Sequence, residues 1–152
     1  MVEAVPDTSE DVWIGIDLGT TNTAACFWDN LHKRIVQLSN PDSEAIASTP
    51  SFVAFDPKKK DFLLVGTPAK NRSTRDAENT VYEAKRLIGR SFDDPDVQGY
   101  LTKWPFRVIC EDENIRRPKI VVKNNKQDIQ LYPEEISAKV LEKMKKAAEK
   151  KT

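Results

Sequence analysis

Between residues 12 and 39 the apolar positions fall in short runs separated by small polar residues, the pattern of strands joined by tight turns. Trp13 to Leu18 (WIGIDL) reads as one strand, Gly19-Thr20-Thr21-Asn22 as a turn, and Thr23 to Trp28 as the returning strand. Asp29-Asn30 supplies a second turn and Arg34 to Leu38 a third strand, so an antiparallel meander is predicted. Asn40-Pro41-Asp42-Ser43 ends it. Pro50 to Phe55 and Phe62 to Val65 then read as paired strands around a charged turn at Pro57 to Lys60, opening a small second sheet. Asn79-Thr80 is placed to cap a helix through Val81, Ala84, Leu87 and Ile88, stopped by Gly89. Asp93-Asp94-Pro95 predicts a cap and a short helix through Val97 and Leu101. Strands follow at Phe106 to Cys110, Lys119 to Lys123 and Asp128 to Leu131, with a hairpin turn at Asn124-Asn125-Lys126, and are expected to extend the small sheet.

The last pattern is helical. Pro133 suits a first-turn position, Glu134 and Glu135 complement the helix dipole, and Ile136, Val140, Leu141 and Met144 follow at helical spacing. Lys143, Lys145, Lys146, Lys150 and Lys151 near its end read as a solvated face that favours the C-terminus. The predicted organisation is a disordered tail at 1–10, three meander strands at 11–39, an inserted mixed α/β unit at 40–132, and a returning helix at 133–152. One helix is thin cover for a sheet with two apolar faces, so the chain is expected to stop within a domain and to self-associate through residues 13 to 39 or leave them loosely ordered.

Composition narrows the class. The 152 residues carry 24 Lys plus Arg against 24 Asp plus Glu, which gives no electrostatic ground for a nucleic-acid or anionic-membrane partner. At 39% hydrophobic and 32% charged the chain is polar but able to fold. Cys26 and Cys110 lie far apart without a CxxC, and His32 is the sole histidine, so packed thiols are expected rather than zinc or a disulfide framework. The opening MVEAVPDTSE is neither a signal nor a transit sequence, which makes the cytoplasm the expected location.

Candidate chemistry lies at Ile16-Asp17-Leu18-Gly19-Thr20-Thr21-Asn22-Thr23. A strand end followed by glycine and small hydroxyl residues can present successive backbone N–H groups to phosphate oxygens, and Gly19 permits close approach. Asp17 at the strand end is placed to hold a divalent cation, through water for magnesium, which keeps much of its hydration. The turn leads into a strand and lacks GxxxxGK[ST], so it is not a Walker loop. A bare hairpin with no ligand fits the same residues.

DLGTT after an apolar strand resembles the first phosphate loop of the actin-like ATPase superfamily. Asn79 to Pro95 (NTVYEAKRLIGRSFDDP), Trp104-Pro105-Phe106, Arg117-Pro118-Lys119 and Tyr132 to Met144 (YPEEISAKVLEKM) resemble the heat-shock protein 70 chaperones within it, rather than sugar kinases or actins. The resemblance runs from Trp13 to Ala148. It implies an α/β, ribonuclease-H-like (actin-like ATPase) fold in which the meander and last helix belong to subdomain IA and the insert is subdomain IB. It also implies ATP or ADP with Mg as ligands. Asp17 would bind the metal, the backbone at Gly19, Thr20, Thr21 and Asn22 would cradle the β- and γ-phosphates, and Lys85 would reach the γ-phosphate and position water. Implied partners are unfolded client proteins, J-domain co-chaperones and nucleotide exchange factors. Asn22 stands where cytosolic eukaryotic members commonly have an aromatic residue, and Glu111 to Arg116 looks like a small surface insertion. The second phosphate loop, the adenosine motif and the peptide-binding domain are expected beyond Thr152, leaving the chain alone unable to hydrolyse ATP. A naturally truncated, non-catalytic regulator and a small-molecule kinase of the same superfamily are the alternative readings.

Overall fold

The computed structural model describes residues 12–43, 45–58 and 63–151; the tail expected at 1–10 lies outside them, as do Lys59, Lys60 and Phe62. The meander forms as expected. Strand β1 (Ile14–Leu18) pairs antiparallel with β2 (Asn22–Asp29), and β2 with β3 (Arg34–Gln37). The sheet has a fourth strand that the apolar pattern hid, because Pro50 to Phe55 is not one strand. β4 (Thr49–Pro50) pairs with the start of β2, whereas β5 (Phe52–Phe55) belongs to a second sheet. Pro50 faces Asn22 at a pair that needs no N–H from it, and the Ser51 N–H makes the last bond to the first sheet, to the Thr21 carbonyl, before the chain enters β5.

The second sheet is β6-β5-β7, made of β6 (Leu63–Val65), β5 and β7 (Thr80–Tyr82). β7 replaces the first half of the helix expected from Asn79 to Ile88. Thr80-Val81-Tyr82 is β-branched and aromatic, and it pairs with Phe52-Val53-Ala54, so tertiary pairing overrides a helical spacing of apolar residues. Glu83 then takes a left-handed conformation (φ 55, ψ 23) and only one 3-10 turn, Ala84–Arg86, follows. Asn79 caps nothing; buried, it accepts from the Lys123 N–H at 2.7 Å and donates to Asp76 at 2.7 Å. A short helix α1 (Thr67–Arg72), absent from the sequence reading, joins β6 to this region, with Pro68 in its first turn.

Helix α2 (Pro95–Leu101) starts where expected, the Asp94 side chain accepting from the Asp96 N–H at 2.9 Å. The strands β8 (Arg107–Cys110), β9 (Pro118–Asn124) and β10 (Gln127–Leu131) do not extend the small sheet but form a third, in order β10-β9-β8. Asn125 and Lys126 close the β9–β10 hairpin with positive φ of 51 and 65, the backbone a two-residue turn requires. Side-chain packing, not strand pairing, joins the two small sheets. Tyr82, Tyr100, Trp104, Phe106 and Phe52 stack in one aromatic group, over a core of Val53, Phe55, Leu87, Ile120 and Val122.

Helix α3 (Pro133–Glu149) ties the parts together. Its first half, Ile136 and Val140, buries into the insert's core; its second half, Met144 and Ala148, buries against Ala25 and Leu38 with Ile14, Ile16 and Phe27 of the meander. Lys143 between them donates to both carboxylate oxygens of Asp42 at 2.6 Å and to the Val65 carbonyl at 2.6 Å, pinning the helix to the 40s loop and β6 together. The opposite face of the meander has no such cover among the described residues. Trp13, Trp28 and Ile35 line up there across the three strands, and Trp13 is 80% and Ile35 69% exposed. Both cysteines are free and half-buried. No helix among the described residues is long and apolar enough to cross a membrane.

Candidate functional site

Strand alternation places Asp17. Its neighbours Ile16 and Leu18 turn toward α3 and the insert, so the Asp17 side chain faces outward, opposite Ala24, whose small side chain leaves the carboxylate open. Among the described residues Asp17 makes no ion pair, and no group of three or more His, Cys, Asp or Glu side chains gathers as a metal cage. A single exposed carboxylate suits a hydrated hard cation and not a dehydrated, fully protein-bound one.

The turn after β1 requires glycine for steric reasons: a Cβ on Gly19 would lie 2.1 Å from the Asn22 carbonyl oxygen. Neither Thr20 nor Thr21 donates its N–H to another backbone group among the described residues. The turn is held from beneath by Ser51, a buried residue at the crossing between the first two sheets. Its hydroxyl donates to the Gly19 carbonyl at 2.9 Å and its N–H to the Thr21 carbonyl at 2.9 Å. The fully buried Thr23 hydroxyl lies 2.9 Å from the Ser51 hydroxyl.

Lys85 comes to this turn from the insert, 67 residues along the chain, and its ammonium donates to the Leu18 carbonyl at 2.5 Å. The amphipathic helix expected to carry it does not exist. Lys85 projects instead from the 3-10 turn after Glu83, whose carboxylate accepts from Arg86 Nε at 3.1 Å and from the Trp104 indole at 3.4 Å. Arg86 in turn donates to the Tyr100 hydroxyl at 2.8 Å and covers its ring. These bonds offset the cost of a left-handed glutamate and fix the direction in which Lys85 leaves the backbone.

Of the residues singled out in the sequence, the structure brings Gly19, Thr20 and Lys85 together in one small crevice, with Ser51. Asp17, Thr21 and Asn22 are exposed and do not line it. A larger groove, about 720 Å³, lies elsewhere, between α3 and residues 38–42 and 63–65. Its principal charges are already paired, Lys143 with Asp42 and Lys146 with Glu142, so it lacks the convergent donors of the turn. Sequence reasoning missed Ser51 and Glu83. Ser51 follows a proline at a strand break, a faint signal, and nothing local marks Glu83.

The sequence model of the family described as Hsp70 protein matches residues 13–152. A ribosome-associated molecular chaperone of Saccharomyces cerevisiae is 44% identical over 138 residues, which take in 91% of this chain and 21% of the relative. A heat shock protein of Pyricularia oryzae is 42% identical over the same shares, and the putative heat shock 70 kDa protein 7 of Homo sapiens is 43% identical over 90% of this chain and 34% of its own length. The chain thus spans about a fifth of the length of the fungal relatives it matches.

Proposed function

Because the chain belongs to the Hsp70 family, we propose that it provides one wall of the ATP site of an ATP-dependent molecular chaperone, the wall that meets the β- and γ-phosphates. The observation that carries this reading is Lys85 at the Leu18 carbonyl: a cation from a distant segment is delivered to the end of the strand that opens the glycine turn. In this reading the backbone at Gly19, Thr20, Thr21 and Asn22 cradles the phosphate oxygens, and Asp17 holds Mg through water. The bound metal would supply charge neutralisation on those oxygens. Lys85 stands where negative charge develops during phosphoryl transfer to water and orients the attacking water, so that positioning and electrostatics supply the catalysis.

The meander strands β1 to β3 with α3 correspond in this proposal to part of subdomain IA of an actin-like ATPase, and residues 40–132, whose β4 pairs with that sheet, to the inserted subdomain IB. In the whole protein, hydrolysis would switch the affinity of a separate domain for unfolded clients, in the cytoplasm and with J-domain co-chaperones and nucleotide exchange factors as partners. The 152-residue chain by itself should show no appreciable turnover, since catalytic groups that act as a unit lose most of their effect when the set is partial.

The test is a chimera in which residues 13–151 replace the matching segment of the yeast relative. Lys85→Ala should slow single-turnover ATP hydrolysis by about 10²-fold or more while changing equilibrium ATP binding by less than about tenfold. Equal losses in both would make Lys85 a ground-state phosphate ligand, and unchanged hydrolysis would overturn the reading.

A further inference from the structure

Three hydrogen bonds converge on Ser51 from one side of the glycine turn, and they reach alternate residues: the Gly19 carbonyl, the Thr21 carbonyl and the Thr23 hydroxyl, each at 2.9 Å. The Ser51 hydroxyl has one proton, and it goes to Gly19. The Thr23 hydroxyl must therefore donate to the Ser51 oxygen, giving a relay from Thr23 through Ser51 to the Gly19 carbonyl in which each bond polarises the next.

The pattern fixes more than the turn's position. None of the described peptide bonds is cis, and in a trans peptide the C=O and the following N–H point in opposite directions. When Ser51 draws the Gly19 carbonyl toward itself, the Thr20 N–H is turned directly away. When the Ser51 N–H draws the Thr21 carbonyl, the Asn22 N–H is turned away in the same sense. The register agrees: Asn22 faces Pro50 across β2 and β4, and with Ser51 bonded to Thr21 this is the pair whose own N–H points away from the partner strand. A buried serine that needed only to satisfy its hydroxyl would be content with one acceptor. Here a hydroxyl and an amide take hold of two successive alternate carbonyls.

We infer that Ser51 is the positioning residue of the turn: by holding the Gly19 and Thr21 carbonyls it aims the Thr20 and Asn22 N–H groups at the phosphate oxygens of a nucleotide. The inference rests on the phosphate reading above and adds a residue outside the DLGTT run. It also separates two halves of the device. The bond to Gly19 belongs to the side chain and is lost in Ser51→Ala; the bond to Thr21 belongs to the backbone and survives it.

The experiment uses the ¹⁵N-labelled 152-residue chain, unmodified and as Ser51→Ala, Ser51→Thr and Thr23→Val, with magnesium pyrophosphate as probe. Without probe, Ser51→Ala should shift the Thr20 amide and speed its exchange with solvent while leaving Asn22 in place. Ser51→Thr, which keeps a hydroxyl, should match the unmodified chain at both. On titration, Ser51→Ala should weaken probe binding about fivefold, Ser51→Thr less than about twofold, and Thr23→Val, which removes only the relay, about twofold. Equal affinity in Ser51→Ala and the unmodified chain would overturn the inference, as would a loss spread evenly over Thr20, Asn22 and the distant core amides, which would mark Ser51 as packing alone. If Ser51→Ala does not fold, Thr23→Val carries the same decision: no effect at Thr20 overturns the proposal. Should the probe move none of the turn amides in the unmodified chain, the phosphate reading fails, and the Ser51 inference is decided by the probe-free Thr20 shifts.

Discussion

Replacing Gly19 by alanine puts the geometry of the turn to a direct test. The added Cβ would stand 2.1 Å from the Asn22 carbonyl oxygen, with the Asn22 carbon at 3.2 Å and nitrogen at 3.7 Å behind it. All three are backbone, so no side chain can swing clear, and the turn must open by roughly 1 Å at the point where Ser51 holds it. Overpacking of this kind costs about 1–3 kcal/mol. For a chain of this size each kcal/mol moves the melting temperature by about 2–4 °C, so a loss of about 2–12 °C is expected. Gly99→Ala serves as the control of opposite sign: Gly99 is exposed on α2 with nothing within 4 Å of the added methyl, and alanine there should gain about 0.5–1 kcal/mol in helix propensity. Calorimetric melting of the three proteins, with the Thr20 and Asn22 amides followed in magnesium pyrophosphate, separates the outcomes. A Gly19→Ala protein that melts within about 1 °C of the unmodified chain and keeps its response to the probe would refute the argument that this turn needs a bare Cα.

Two further outcomes follow from the surface and the charges. Glu111 accepts from the Tyr132 hydroxyl and pairs with Lys119 at 3.0 Å; these bonds, the tyrosine's foremost, hold its carboxyl below the ordinary 4.5. A carboxylate with a depressed folded pKa contributes stability that is present above its unfolded value and lost as pH falls through the folded one. The melting-temperature advantage over Glu111→Gln should therefore be largest near neutral pH and shrink below about pH 4.5; an advantage that stays constant down to about pH 3 would exclude this cause. Ile35→Lys, at a position 69% exposed beside Trp28 on the uncovered face of the meander, should leave the melting temperature unchanged and reduce any association seen by sedimentation at high concentration, whereas association that persists unaltered would place the contact elsewhere.

What the sequence determined by itself was whatever local chemistry could settle. Asp94 ahead of Pro95 starts α2, Pro133 with two glutamates starts α3, and Asn125-Lys126 closes a hairpin, because caps, dipoles and turn backbones depend on residues within a few positions of one another. The alternation along Trp13 to Leu18 and Thr23 to Trp28 likewise carried the meander, and the DLGTT turn between them marked where chemistry could sit. Tertiary structure alone decided the rest. Thr80-Val81-Tyr82 has apolar spacing that suits a helix, yet it becomes a strand because β5 offers it a partner. Lys85 meets Leu18 across 67 residues only because Glu83 adopts a backbone conformation that its sequence does not ask for and that Arg86 and Trp104 hold in place. Ser51 reaches the turn because it stands where the chain passes from the first sheet to the second. Such contacts are fixed by the free energy of burial and pairing summed over the whole core, and no window of neighbouring residues contains that sum.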